Sequence, residues 1–153
     1  PYYEILTSSL PKKQVCERWH GRIAIKKGYW ITADSIFKNV LVKAKQNLTG
    51  YNKLKVKREA AYYVANNYKI TSQLDSALVY FNRCIIYSNR IPSEEESGFL
   101  INSTLYIGAI KDKNGKYDEA IKYYNEVLEM REFGNSHSLA ESYLDRLDKR
   151  KMK

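Results

Sequence analysis

The chain has 153 residues and a formal net charge of +9, with 44% hydrophobic and 28% charged residues. That length suits one domain with a real core, and the balance excludes disorder and membrane spanning alike. No apolar run approaches the roughly 18–20 residues a transmembrane helix needs. Three prolines and seven glycines leave long uninterrupted segments, which favours helices over a turn-rich β fold. The first residue is proline, so the chain is expected to be a piece of a longer protein. Residues 1–71 hold 14 Lys/Arg against 4 Asp/Glu, and residues 72–153 hold 12 against 13. The basic half points either to an acidic or nucleic-acid partner or to a solvated lysine-rich surface. Cys16 and Cys84 form no paired motif, so two free thiols and a reducing, cytoplasmic compartment are expected.

In chain order, Pro11 suits the first turn of an opening helix that ends just before Gly28. A second helix follows, then the linker Asn47-Leu48-Thr49-Gly50. A long helix is predicted from about Tyr51 to Ile70. After Pro92, the capping-box pattern Ser93-Glu94-Glu95-Glu96 predicts a helix running to about Lys113. Gly134 ends the next helix, and Ser138-Leu139-Ala140-Glu141 opens a last one. Its apolar stripe of Leu139, Tyr143 and Leu147, with Ala140 and Leu144, predicts packing near Tyr124 and Val127 as a terminal cap.

Three segments align with one another. Gly28 leads to Ala33, Phe37 and Val40; Ser72 to Ala77, Phe81 and Cys84; Gly115 to Ala120, Tyr124 and Val127. Each has a small turn residue, then alanine, an aromatic four later and a small apolar residue three beyond, which is one face of a helix. A small residue stands upstream of each turn at a constant distance: Gly21, Ala65 and Gly108. The unit is therefore helix, tight turn, helix. The alanines at 33, 77 and 120 recur in steps of 44 and 43 residues.

These motifs resemble the tetratricopeptide repeat family. The third copy is the clearest, with Leu105-Tyr106-Ile107-Gly108, then Gly115-Lys116-Tyr117-Asp118-Glu119-Ala120-Ile121. The steps exceed the family's usual spacing of about 34 residues and resemble its extended-helix members. The resemblance implies an all-α fold, a right-handed α-solenoid of three helix pairs plus a capping helix. One domain is expected over 1–153, with repeats at about 12–47, 56–90 and 94–134 and the cap at 138–151.

Catalytic patterns are missing from the sequence. His20 lies inside the first helix and His137 in the loop before the last, neither with a partner suited to general-base work. There is no HExxH, GxSxG, GxxxxGK[ST] or GxGxxG. A non-catalytic protein-interaction module with no cofactor and no metal is expected, of the kind that serves as the sensing or scaffold part of a regulatory protein. The resemblance implies that the first helix of each pair lines a concave groove holding a peptide or helix of a partner. The register then assigns binding to Arg18, Arg22 and Lys26, to Tyr62, Asn66, Lys69 and Ile70, and to Leu105 and Lys113. Arg18 and Arg22, one turn apart, either address one acidic group or pair with Glu17, Glu59 or solvent. The chaperone-binding members of the family grip a C-terminal carboxylate with set Lys, Asn and Arg residues. Here Arg18, Arg22, Tyr63, Asn102 and Tyr106 stand in those places, so that clamp is missing. The alternative reading is nucleic-acid binding through the basic half, with Lys12, Lys13, Lys26, Lys27, Lys38, Lys43, Lys45, Lys53, Lys55, Lys57 and Arg58 as phosphate contacts.

Overall fold

The computed structural model describes residues 12–47, 50–92 and 96–152, with side chains described for 17, 19–42, 53–92 and 96–152. Among these residues there are seven α-helices and no strand: α1 (Lys12–Lys26), α2 (Trp30–Asn47), α3 (Gly50–Ile70), α4 (Leu74–Asn89), α5 (Gly98–Lys113), α6 (Tyr117–Glu129) and α7 (Ser136–Lys151). Pro11, Ser93 and the side chains of Lys12, Lys13, Cys16, Arg18, Lys43 and Lys45 lie outside the described residues. Consecutive helices are the main packing neighbours, and α5 also touches α3 and α7.

The helix–turn–helix unit repeats down to its hydrogen bonds. Gly28, Ser72 and Gly115 all take left-handed backbone, at φ 77°, 61° and 76°. Each turn closes with the same two bonds, typical of a Schellman motif. The amide of Gly28 reaches the carbonyl of Ile25 and that of Tyr29 reaches Ala24; Ser72 and Gln73 do the same to Lys69 and Tyr68; Gly115 and Lys116 to Asp112 and Lys111. The next helix then starts identically, the amides of Ala33, Ala77 and Ala120 donating to the carbonyls of Tyr29, Gln73 and Lys116.

The small upstream residues make room for the aromatics. A Cβ on Gly21 would sit 2.7 Å from the Phe37 ring, and one on Gly108 would sit 2.8 Å from Tyr124. Ala65 packs in one cluster with Phe81. Burial follows the same unit. Phe37, Val40, Val56, Ala60 and Val64 form a first cluster. Ala65, Ala77, Phe81, Ile107 and Ile110 form a second. Ile101, Leu105, Ala120, Tyr124, Val127, Ala140 and Leu147 form a third. Each joins one pair to the next element, as in an array whose units contact only their neighbours. α7 closes the third cluster, with Tyr143 5.2 Å from Tyr124 between ring centroids.

Two helix starts differ from the sequence reading. α5 begins at Gly98, and Ser97 is its N-cap, its side chain accepting from the Leu100 amide. Arg131 Nε holds the Glu96 carbonyl at 2.6 Å, so residue 96 stays outside the helix. α7 begins at Ser136 rather than Ser138, because Gly134 at φ 60° turns the chain just ahead of it. His137 therefore lies in the first turn of α7, where its Nε2 is 2.8 Å from the Met130 carbonyl and anchors the connection.

Candidate binding cleft

The first helices of successive pairs are tied together by charge. Arg22 on α1 meets Glu59 on α3 at 2.5 Å, and Glu59 is only 2% exposed. Lys69 on α3 lies 3.6 Å from the ring centroid of Tyr106 on α5. Asp112 on α5, 5% exposed, is held by Arg146 and, at 3.7 Å, by Arg150, both on α7. Burial alone would lower the Arg22 guanidinium, but its bond to Glu59 more than offsets this and holds its pKa above the usual value. Burial pushes the Lys69 ammonium below its ordinary value.

Between α1, α3, the start of α5 and the α6–α7 connection lies a cleft of about 680 Å³. Its floor is aromatic. Tyr62 sits at the centre, its ring 5.4 Å from Tyr63, 5.3 Å from Phe99 and 6.5 Å from Tyr106. Burial, and then the Tyr106 hydroxyl, push the Tyr62 phenol well above its ordinary range, while a hydrogen bond with Asn102 works the other way. That phenol stays neutral at any physiological pH. The amides of Asn66 and Asn102 also line the cleft, one turn along α3 from Tyr62 and one turn along α5 from Gly98. Three guanidinium groups complete the lining: Arg22, Arg58 (5.6 Å from the Phe99 ring) and Arg131 (5.5 Å from the Phe133 ring). Among the described residues, none that lines the cleft is acidic.

The structure thus brings Arg22, Tyr62 and Asn66 together. Arg22 is also committed to Glu59, so it serves as a bridge as well as a rim charge. Lys69 lies beside the cleft against Tyr106, and Lys26 and Ile70 (44% exposed) lie on the surface beyond it. Leu105 is a correction: at 2% exposure it belongs to the core shared with Tyr124 and Leu147 and presents nothing to a ligand. Its register position faces α6 and α7 because the cap α7 must be packed against α5. Lys113 lines a different hollow, with Arg146, Arg150 and the buried Asp112. The side chain of Arg18 lies outside the described residues. Sequence reasoning missed Arg131 and Phe133. They stand in a connection with no periodicity, and only the fold returns that connection to the start of α5, where the Phe133 ring fills the space a Cβ on Gly98 would need.

Chemically, such a lining offers paired donors and acceptors from amides, charge from guanidinium groups and an apolar floor. Among the described residues no three His, Cys, Asp or Glu side chains gather as metal ligands. No described helix is long and apolar enough to cross a membrane. Compared with protein families, curated proteins and solved structures, the chain matches none.

Proposed function

We propose that the chain is a non-catalytic protein-interaction module of the tetratricopeptide kind, a right-handed α-solenoid of three helix pairs and a capping helix. In this reading the cleft between α1, α3 and α5 holds a peptide or helix of a partner protein, as the sensing or scaffold part of a larger regulatory protein would. One observation carries it. Asn66 and Asn102 flank an aromatic floor inside a ring of arginines. Amides can donate to and accept from a peptide backbone at once, the aromatic floor takes an apolar side chain, and the arginines favour acidic neighbours.

Selection of a random displayed peptide library on the intact chain tests this. The enriched peptides should carry an apolar residue flanked by acidic ones. Asn66→Ala with Asn102→Ala should weaken them about 10- to 100-fold, since each lost hydrogen bond costs about 0.5–1.5 kcal/mol. Circular dichroism establishes that the variant is folded. Peptides that bind the folded double variant as tightly as the parent remove the cleft from the function.

A further inference from the structure

A second cleft, of about 560 Å³, is built by α2, α3 and α4 from different residues. Its cations are distant in sequence and come from three helices: Lys38, Lys57 and Arg83. Read along the chain, the lysines of the basic half look scattered, and the fold gathers two of them with an arginine that lies outside that half. Each cation rests against a tyrosine ring. Lys38 is 4.7 Å from the Tyr68 centroid, Lys57 5.4 Å from Tyr87, and Arg83 4.8 Å from Tyr80. Tyr68 and Tyr80 stack on each other at 5.6 Å. The ring faces position the charges without neutralising them. Asp34, 2.7 Å away, balances Lys38, whereas Arg83 makes no ion pair among the described residues.

The two clefts differ in what they ask of a ligand. Among the described residues, the second is lined by ammonium, guanidinium and phenol groups, with no amide and no carboxylate, Asp34 beside it being spent on Lys38. Nearly everything polar there donates. A peptide would bring backbone N–H groups with only phenol oxygens to meet, whereas the phosphates of a nucleic-acid backbone present acceptors only. Tyr80 is already engaged by Tyr68 and Arg83, so bases have no open platform on it and contact falls on the backbone, independent of base sequence. A hollow of about 560 Å³ between helices takes the phosphates of a flexible single strand more readily than those of a rigid duplex. The surplus of ten positive charges in residues 1–71 supplies the long-range attraction for a polyanion.

We propose that the α2–α4 cleft is a site for single-stranded nucleic acid, gripped through its backbone phosphates by Lys38, Lys57 and Arg83. It shares no lining residue with the peptide cleft, so either assignment can fail while the other stands.

The test is a fluorescence-anisotropy titration of labelled oligothymidylate with the whole chain at several salt concentrations. Phosphate contacts on a single strand, at about 0.7 each, predict a slope of log affinity against log salt between about −1.4 and −2, the smaller magnitude if Lys38 stays with Asp34. Lys57→Gln with Arg83→Gln should bring the slope to between about 0 and −0.7 and weaken low-salt binding at least tenfold. Lys122→Gln with Lys149→Gln removes the same charge from α6 and α7 and should change affinity by less than threefold. Circular dichroism and the melting midpoint confirm folding of both variants. Three results overturn the proposal: no binding at low salt, equal weakening by the two double variants, or displacement of the oligonucleotide by polyglutamate at matched charge. The last would assign the cleft to an acidic peptide instead.

Discussion

Gly28, Ser72 and Gly115 stand at one structural position in three successive turns, yet only one of them carries a side chain there. Ser72 holds φ 61°, where a Cβ crowds the neighbouring carbonyl. That conformation costs an L-residue about 1–2 kcal/mol. Glycine adopts it freely, but gives back roughly 0.5–1 kcal/mol through the greater freedom of its unfolded chain. The Ser72 hydroxyl is exposed and makes no hydrogen bond among the described residues, so glycine forfeits no contact. Ser72→Gly should therefore stabilise the fold by about 0.5–1 kcal/mol, and Gly115→Ser should destabilise it by a similar amount. For a chain of this size each kcal/mol moves the midpoint by about 2–4 °C. Calorimetry should show Ser72→Gly melting about 1–4 °C higher and Gly115→Ser lower by a like amount, with near-additivity in the double variant. The reasoning is refuted if Ser72→Gly lowers the midpoint, because the three turns would then not be equivalent.

Leu147→Ala opens a cavity beneath α7 in the cluster shared with Leu105 and Tyr124, and should cost about 2–5 kcal/mol in urea unfolding. Ending the chain after Gly134 removes that helix, exposing the same cluster; lower stability and self-association in analytical ultracentrifugation are expected, and a stable monomer would show that α7 is no cap. Gly108→Ala drives a Cβ to 2.8 Å from the buried Tyr124 ring and should cost about 1–3 kcal/mol, measured by the same unfolding. Burial raises the Cys84 thiol from 9.0 to about 11. A raised folded-state pKa gives stability that is complete below pH 9 and is lost as pH climbs toward 11, where the unfolded thiol ionises first. The loss is about 2–3 kcal/mol at most, and Cys84→Ala should flatten the pH profile by that amount across this window.

The repeat was legible because each unit spends its informative residues on backbone and packing demands that few side chains meet. A left-handed turn selects Gly28 and Gly115, and close helix approach selects Gly21 and Gly108 opposite large rings. The start of α5 was not legible. Ser93 and Ser97 are both sound caps locally, and the second is observed because Arg131, far along the chain, occupies the carbonyl just before it. The cleft was readable in part for the same reason. Arg22, Tyr62 and Asn66 follow from helix register, but Arg131 and Phe133 arrive from a connection whose path depends on Gly134 and His137. Register also misplaced Leu105, since one helix face cannot reveal that α7 packs on α5 as well as on α6. The basic cleft was hidden because its three cations belong to three helices, and only their packing on α3 assembles them.

The peptide reading stands on the cleft between α1, α3 and α5, and nuclear magnetic resonance of the labelled chain tests it most directly. On titration with the tightest library-selected peptide, the largest shifts should fall on the side-chain amides of Asn66 and Asn102 and the backbone around Tyr62 and Phe99. Shifts confined to other surfaces, or spread evenly without saturation, would contradict it.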